Sequence, residues 1–507
     1  MNANAKRLYL LLAFLQLSWL SVGCGGGGSN PPPPPPPGKF SNASLSGQYA
    51  FSMTGTELCA GSGNLFSRIG TFTADGHGNI TTGLEDINAC PGTLTLQFNG
   101  GHYSIAGDGR GVLQLTNSTG TTNYNIALST TSAGMIVQMD AAATASGSFQ
   151  RQNPAAFSNA AIAGGYVFDF NGADVSGSTA NPASYVGRFG ADGAGGVVNG
   201  LYDSNIAGTL SGQQNFPAGA FYMLDTNGDG TNYGRGTANI AGHTYVFYVV
   251  DATRLKFLNT DFPSLLVGDA LAQQNMAFTS ASLNGSFAFI IGGSVSNGPI
   301  STAGRFTADG AGTISNVALD ENNSGTLTQL PDGTVSGTYT VDSNQLGGGT
   351  LTWTDTNAGT FSFIFYLISP TQAVLQEVDS NIVSDGSSSA QTTAPITAAS
   401  MAGDYVFDWS GVAASEEDYI GQFTLNSSGS LSGLTDFNIF DTGQQFFAVP
   451  LSGNLTLNGD GTQFNSFTAT FQGTTFNFTA YVVDQNTVYL EGTDSNRVIA
   501  GPVIRQP

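Results

Sequence analysis

The residues best suited to chemistry recur at fixed places in this chain. Asp86-x-Asn88, Asp203-x-Asn205, Asp320-x-Asn322 and Asp436-x-Asn438 follow the same kind of segment four times. Residues two apart on a strand share a face. Each pair could therefore offer a carboxylate and an amide together to a cation or to sugar hydroxyls. The competing role is structural: Asp and Asn side chains commonly bond their local backbone and close a strand. That local cap is the expected role. Asp225, Asn227 and Asp229 have the spacing that opens a calcium loop, but the twelfth position, which needs Glu, is Gly236. Calcium is the one cofactor this leaves open, and otherwise none is expected. His77, His102 and His243 have no nucleophile or ligand partner at useful spacing, and a lone His makes a poor site. Gly-x-Ser-x-Gly, His-Glu-x-x-His and the Walker lysine loop are all absent from the sequence. The chain is not expected to be an enzyme.

Only three cysteines occur. Cys59 and Cys90 fall in one repeat and are expected to form a disulfide in an oxidising compartment. Two cysteines without nearby His cannot complete a zinc shell. The third, Cys24, closes a different segment. Lys6 and Arg7 precede an apolar run from Leu8 to Leu20, then Ser21-Val22-Gly23-Cys24. A positive start, a short apolar core and small residues before a cut define a secretory signal, and the run is short for a membrane span. Its end resembles a bacterial lipobox, with Ser21 where that pattern prefers Leu. The resemblance implies cleavage before Cys24, lipidation of that residue and a lipid anchor in the membrane. By further resemblance to Gram-negative lipoproteins, Gly25 rather than Asp implies the outer membrane. Pro31 to Pro37 should form an extended polyproline spacer of roughly 20 Å.

The elements that must position these residues repeat four times. Leu45-Ser-Gly47-Gln-Tyr49-Ala-Phe51 recurs as Ile162-Ala-Gly164-Gly-Tyr166-Val-Phe168, Leu283-Asn-Gly285-Ser-Phe287-Ala-Phe289 and Met401-Ala-Gly403-Asp-Tyr405-Val-Phe407. Asp140, Gly147 and Gln152 recur as Asp261, Gly268 and Gln273, as Asp379, Gly386 and Gln391, and as Asp494, Gly501 and Gln506. A period near 120 residues suits a whole domain rather than a solenoid unit. The expected division is 1–23 signal, 24–39 lipidated Cys and linker, then β domains at 40–153, 154–274, 275–392 and 393–507. From each late Gly to the next opening Gly there are always 17 residues. Connections of fixed length predict a semi-rigid rod of domains.

Each repeat divides into about eight strand-like runs. In the fourth they are Tyr405–Trp409, Tyr419–Leu425, Ser430–Asn438, Gly453–Asn458, Phe464–Phe471, Thr475–Val483, Thr487–Thr493 and Val498–Arg505. Period-two alternation at Phe476, Phe478, Ala480 and Val482 is a strand pattern. Asp75-Gly, Asp192-Gly and Asp309-Gly mark hairpins. An even antiparallel meander can close and so remove both edges. The Gly-x-aromatic opening is similar to that of calycins, the lipocalins and avidins, with Tyr or Phe where they usually have Trp. The resemblance implies four eight-stranded up-and-down β-barrels. Two-sheet sandwiches are the alternative. Tyr405, Phe407 and Trp409 share a face that should point inward, leaving barrels too full to hold a ligand.

The net charge is −22, with only three Lys. Loss of the signal peptide makes it about −24. A phosphate backbone would be repelled, so nucleic acid is excluded as a partner. The expectation is an anchored cell-envelope protein with a binding or structural role towards envelope polysaccharide or protein. The alternatives are a carrier of small apolar ligands inside the barrels and a cation-dependent surface adhesin.

Overall fold

The computed structural model describes residues 38–507, apart from 60–61, 90–91, 175–179, 226–231, 262, 297, 357, 441, 460, 462–463 and the side chains at 331–334. The signal segment, Cys24 and the proline run lie outside the described residues. Among the described residues no helix is long and apolar enough to cross a membrane.

The alternating pattern forms strands, and each repeat forms its own antiparallel sheet. The first strands are Ser46–Cys59, Ala163–Asp174, Asn284–Val295 and Gly403–Val412. Each pairs with the second strand on one side and with the last strand of its repeat on the other. Repeats 3 and 4 are closed eight-stranded barrels. In repeat 1 the fourth strand is split into Gly92–Phe98 and Gly100–Ile105, and the third strand pairs with both. Its pairing with the second strand closes the sheet. Repeat 2 departs most. Its fourth strand is broken into Thr209–Leu210, Gln214–Asn215 and Phe221–Leu224. A single bridge, Gly196 to Phe221, joins that side of the sheet. Gly212, Pro217 and Gly219 fall within the break; Pro lacks a donor and Gly weakens a strand. The up-and-down barrel holds, and the sandwich does not.

The aromatic face points inward. Tyr405, Phe407 and Trp409 are at most 1% exposed and meet Phe467, Phe476 and Phe478 in one core. The other repeats have equivalent cores, around Tyr49 and Phe51, Tyr166 and Phe168, and Phe287 and Phe289. The space left among Met401, Tyr405, Phe423 and Phe467 is about 10 Å³, no more than one water's worth.

The expected rod is not what forms. The outer face of the first two strands is also buried, against the next repeat. Ala50 and Ile69 pack on Tyr248 and Val246 of repeat 2. Val167 and Val186 pack on Tyr366 and Val374 of repeat 3. Ala288 and Ala303 pack on Tyr481 and Tyr489 of repeat 4. Val406 and Ile420 then pack on Ala127, Met135 and Val137 of repeat 1. A head-to-tail contact generates a ring when its rotation closes, and here four steps close it. The fixed connections serve this geometry: Asn153, Gln274 and Thr392 donate backbone bonds to Val250, Ile368 and Val483 of the following repeat. At the seam, Lys39 reaches Asp404 at 2.9 Å and the Pro507 carbonyl at 2.6 Å.

Candidate functional site: the repeat junctions and the axial cavity

The Asp-x-Asn pairs end or approach the end of the third strands and sit at these junctions. Local caps form at two of them, where Asn322 accepts from Gly325 N at 2.9 Å and Asp436 accepts from Ala448 N, but all four pairs also make contacts across repeats. Asn88 donates to the Asn259 and Ser264 carbonyls of repeat 2 at 2.8 and 3.1 Å. Asn205 donates to Glu377 and Ile382 of repeat 3. Asn322 donates to Gly492, Asp494 and Arg497 of repeat 4. Asn438 closes the ring, donating to Gln138, Asp140 and Ala143 of repeat 1 at 2.9, 3.1 and 2.9 Å. All four Asn are at most 1% exposed.

The aspartates face a second set of groups. Tyr248, Tyr366 and Tyr481 donate their hydroxyls to Asp86, Asp203 and Asp320 at 2.7, 2.7 and 2.6 Å. Repeat 1 has Ala127 at that position, and there Arg110 approaches Asp436 at 3.3 Å instead. Arg235 also grips Asp86, at 2.8 and 2.9 Å. Burial pushes the Asp203 carboxyl up to about 6, against the pull of the Tyr366 hydroxyl. It raises Asp320 too, against Tyr481 and Gln329. At the opposite end of each junction a terminal Gln bonds the sixth strand of its neighbour. Gln152 donates to Val249, Gln273 to Leu367, Gln391 to Val482, and Gln506 returns to Leu128. These tyrosines went unnoticed in the sequence. The signal is there, since each stands 13 residues before Asp261, Asp379 or Asp494.

The other expected residues have smaller roles. Asp261, Asp379 and Asp494 accept backbone bonds from Thr244, Ser362 and Asn477 on the sixth strands. The Asp75 turn is an Asx-type hairpin turn: its carboxylate accepts from Asn79 and His77, which holds it down at about 2. Asp225 is bound to Arg235 at 2.5 Å; Asn227 and Asp229 lie outside the described residues. Among the described residues no group of three His, Cys, Asp or Glu could hold a metal. Cys59 ends the first strand of repeat 1, while Cys90 is outside the described residues. His243 bonds the Tyr185 hydroxyl at 3.1 Å, and burial lowers its pKa.

The ring encloses a cavity of about 570 Å³ on its axis, lined by all four repeats. Its wall is built from the far ends of the first two strands of each repeat and the start of the last strand of repeats 2, 3 and 4. Gly55, Gly172, Gly293 and Gly411 are equivalent positions on this wall. A Cβ there would stand 1.9, 1.8, 1.9 and 2.3 Å from the carbonyls of Thr144, Leu265, Val383 and Val498. Only Gly permits that approach of first and last strands. Ser67, Ser184 and Ser301 line the wall, as do Pro182 and Pro299. Among the described lining residues the charged ones are Asp385 and Glu416. A second cavity of about 290 Å³ shares Thr54 and Asn171 with it and reaches Ser52, Ser148 and Asp408.

The axial groups are mostly acidic and desolvated. Burial raises Asp169, and the nearby Asp385 raises it further. Burial, with Asp418 beside them, also raises Asp408 and Glu416. Between repeats 1 and 2 the chain supplies its own cation. Lys256 is fully buried, with Nζ 2.9 Å from Ser52 Oγ, 3.4 Å from Ser148 Oγ and 3.4 Å from Asp269. Burial lowers its pKa to about 8. Burial would raise Asp269, but Lys256 and Arg254 outweigh it and hold that carboxylate low.

No protein family matches the chain, and no curated protein matches it. Solved structures do. Transferrin-binding protein B of Haemophilus parasuis, described as a vaccine antigen, is 12% identical over 74% of this chain and 84% of its own, with a TM-score of 0.21. Intact Ap-TbpB, with N and C lobes, is 10% identical over 90% of this chain and 76% of its own, with a TM-score of 0.16. Superpositions this poor carry no statement about barrel arrangement or activity.

Proposed function

We propose that this chain is a cell-envelope lipoprotein, anchored through Cys24, whose ring of barrels is a rigid platform for binding or structure. The observation that carries the reading is that the barrels are filled and locked together. A filled core leaves no room for a carrier's ligand, so contact falls to the rim and the axis. The junction bonds show that the barrels point the same way: third-strand ends meet seventh-to-eighth turns, and terminal Gln residues meet sixth-strand ends. All chain entries and exits therefore lie on one side of the ring. The third-to-fourth turns lie on the other side. Just after that turn each repeat exposes an apolar side chain: Leu94 at 49%, Leu210 at 39%, Leu327 at 38% and Phe447 at 55%. Apolar groups repeated on one rim suit a partner protein or polysaccharide of the envelope.

The adhesin alternative loses its residues, because the Asp-x-Asn pairs are engaged between repeats. Two measurements test the proposal. Cys24→Ser should give an exported protein that leaves the membrane fraction; if it still fractionates with membranes, the anchor is wrong. Changing Leu94, Leu210, Leu327 and Phe447 together to Ser should abolish cross-linked partners in intact cells without changing the melting temperature. An unchanged cross-linking pattern would remove the rim from the proposal.

A further inference from the structure

The axial cavity contains two carboxyls on opposite sides of the ring. Asp385 belongs to the junction of repeats 2 and 3, where Asn171 donates to its Oδ1 at 3.0 Å. Its Oδ2 is buried without a hydrogen-bond partner, and the residue is 4% exposed. Glu416 belongs to the junction of repeats 4 and 1, where Thr56 donates to its Oε2. In a ring of four these junctions face each other across the axis. The groups around them are acidic as well: Asp169 near Asp385, and Asp418 near Glu416. None of the described residues lining the cavity is Lys, Arg or His.

A third junction shows how this interior accommodates positive charge. Between repeats 1 and 2, the primary ammonium of Lys256 sits on Asp269 and two serine hydroxyls. Asp169 occupies the first-strand position of Ser52, and Asp408 occupies it in repeat 4; neither has a Lys opposite. Position 256 is Met135, Val374 and Tyr489 in the other repeats. An acid thus stands at the Ser52 position at two further junctions, where Asp269 itself is replaced by Ser387 and Ser148 and no ammonium is supplied.

We propose that the axial cavity binds a linear aliphatic diamine or polyamine, with one ammonium on Asp385, another on Glu416 and the methylenes between them. Separated carboxyls suit separated charges and not one metal ion, consistent with the absence of a three-ligand cluster among the described residues. Between the carboxyls the wall offers Pro182, Pro299, Ile300 and Val412 to the methylenes, and Ser184 and Ser301 to the remaining ammonium hydrogens. The volume is that of a small-molecule site. This site is separate from the rim and does not depend on it.

The test is titration calorimetry on the full chain in detergent, with 1,5-diaminopentane and spermidine against pentylamine and calcium chloride. The diamine and spermidine should bind saturably with one molecule per chain, and pentylamine at least tenfold more weakly. Millimolar calcium should not displace them. Asp385→Asn and Glu416→Gln should each weaken diamine binding at least tenfold while leaving pentylamine binding within twofold. No saturable heat with either polyamine overturns the proposal. So does equal affinity for diamine and monoamine, a measurement that needs only the unaltered protein. Displacement by millimolar calcium would make the cavity a metal site instead.

Discussion

Tyr481 and Asp320 show what a single junction bond does. The tyrosine hydroxyl favours the ionised carboxylate, while burial opposes ionisation. Tyr481→Phe should therefore push the Asp320 pKa further up, readable by NMR titration. It should also lower the unfolding free energy by about 1.5–3 kcal/mol, the usual worth of a hydrogen bond to a charged group. An unmoved Asp320 pKa would mean the bond does not form. The sequence displayed both partners, each in register across repeats, but not that they meet. Pattern matching within one repeat places Asp320 and Tyr481 on their own strands, and it cannot see that the partner lies 161 residues away in the next barrel. Cys59 and Cys90 belong to this scale as well. Their proposed disulfide should make the 40–153 fragment two hydrogens lighter than its reduced form. Its reduction should cost about 3 kcal/mol for a loop of roughly 30 residues. Labelling of both thiols in the native protein would refute the pairing.

Strands were legible where alternation and turn residues agreed, and less so where the ladder is irregular. In repeat 4 the fourth strand runs from Gln444 to Thr456, well before the Gly453 start read from the pattern. A register shift against the third strand and a positive φ at Ala448 disturb the alternation there. Outer strand faces misled for a different reason. Val406 and Ile420 look like ordinary residues on a barrel exterior, yet both are at most 1% exposed because repeat 1 covers them. Fragment 393–507 has a complete hydrogen-bonded barrel but loses that cover. We expect a β-type circular dichroism spectrum and a cooperative melt, together with concentration-dependent self-association in sedimentation. An unfolded fragment would mean that the barrel needs its neighbours to form.

Over the whole molecule, the junction acids set a pH dependence. Burial raises Asp203, Asp385 and Asp418 to about 6, Glu321 to about 7 and Glu377 to about 8. The unfolded chain releases these protons near pH 4. Between those values the folded state holds more protons, so stability falls as pH rises. Their contribution is complete below about pH 4 and is lost by about pH 8. The lowered groups Asp75, Asp192, Asp309 and Asp269 act in the opposite sense, but below pH 4. The melting temperature should be highest near pH 4–5 and several degrees lower at pH 8; a flat or rising profile would show that these carboxyls are ionised in the folded ring. The seam between repeats 4 and 1 has one more consequence. It joins repeat 4 to repeat 1, so a growing chain carries two complementary, uncovered surfaces until repeat 4 is made. A chain stopped at residue 392 never covers them: repeat 3 still seeks a successor, and repeat 1 still offers the surface that receives one. Such a chain should join other copies of itself end to end, and its light scattering should grow with concentration while the full-length protein stays monodisperse.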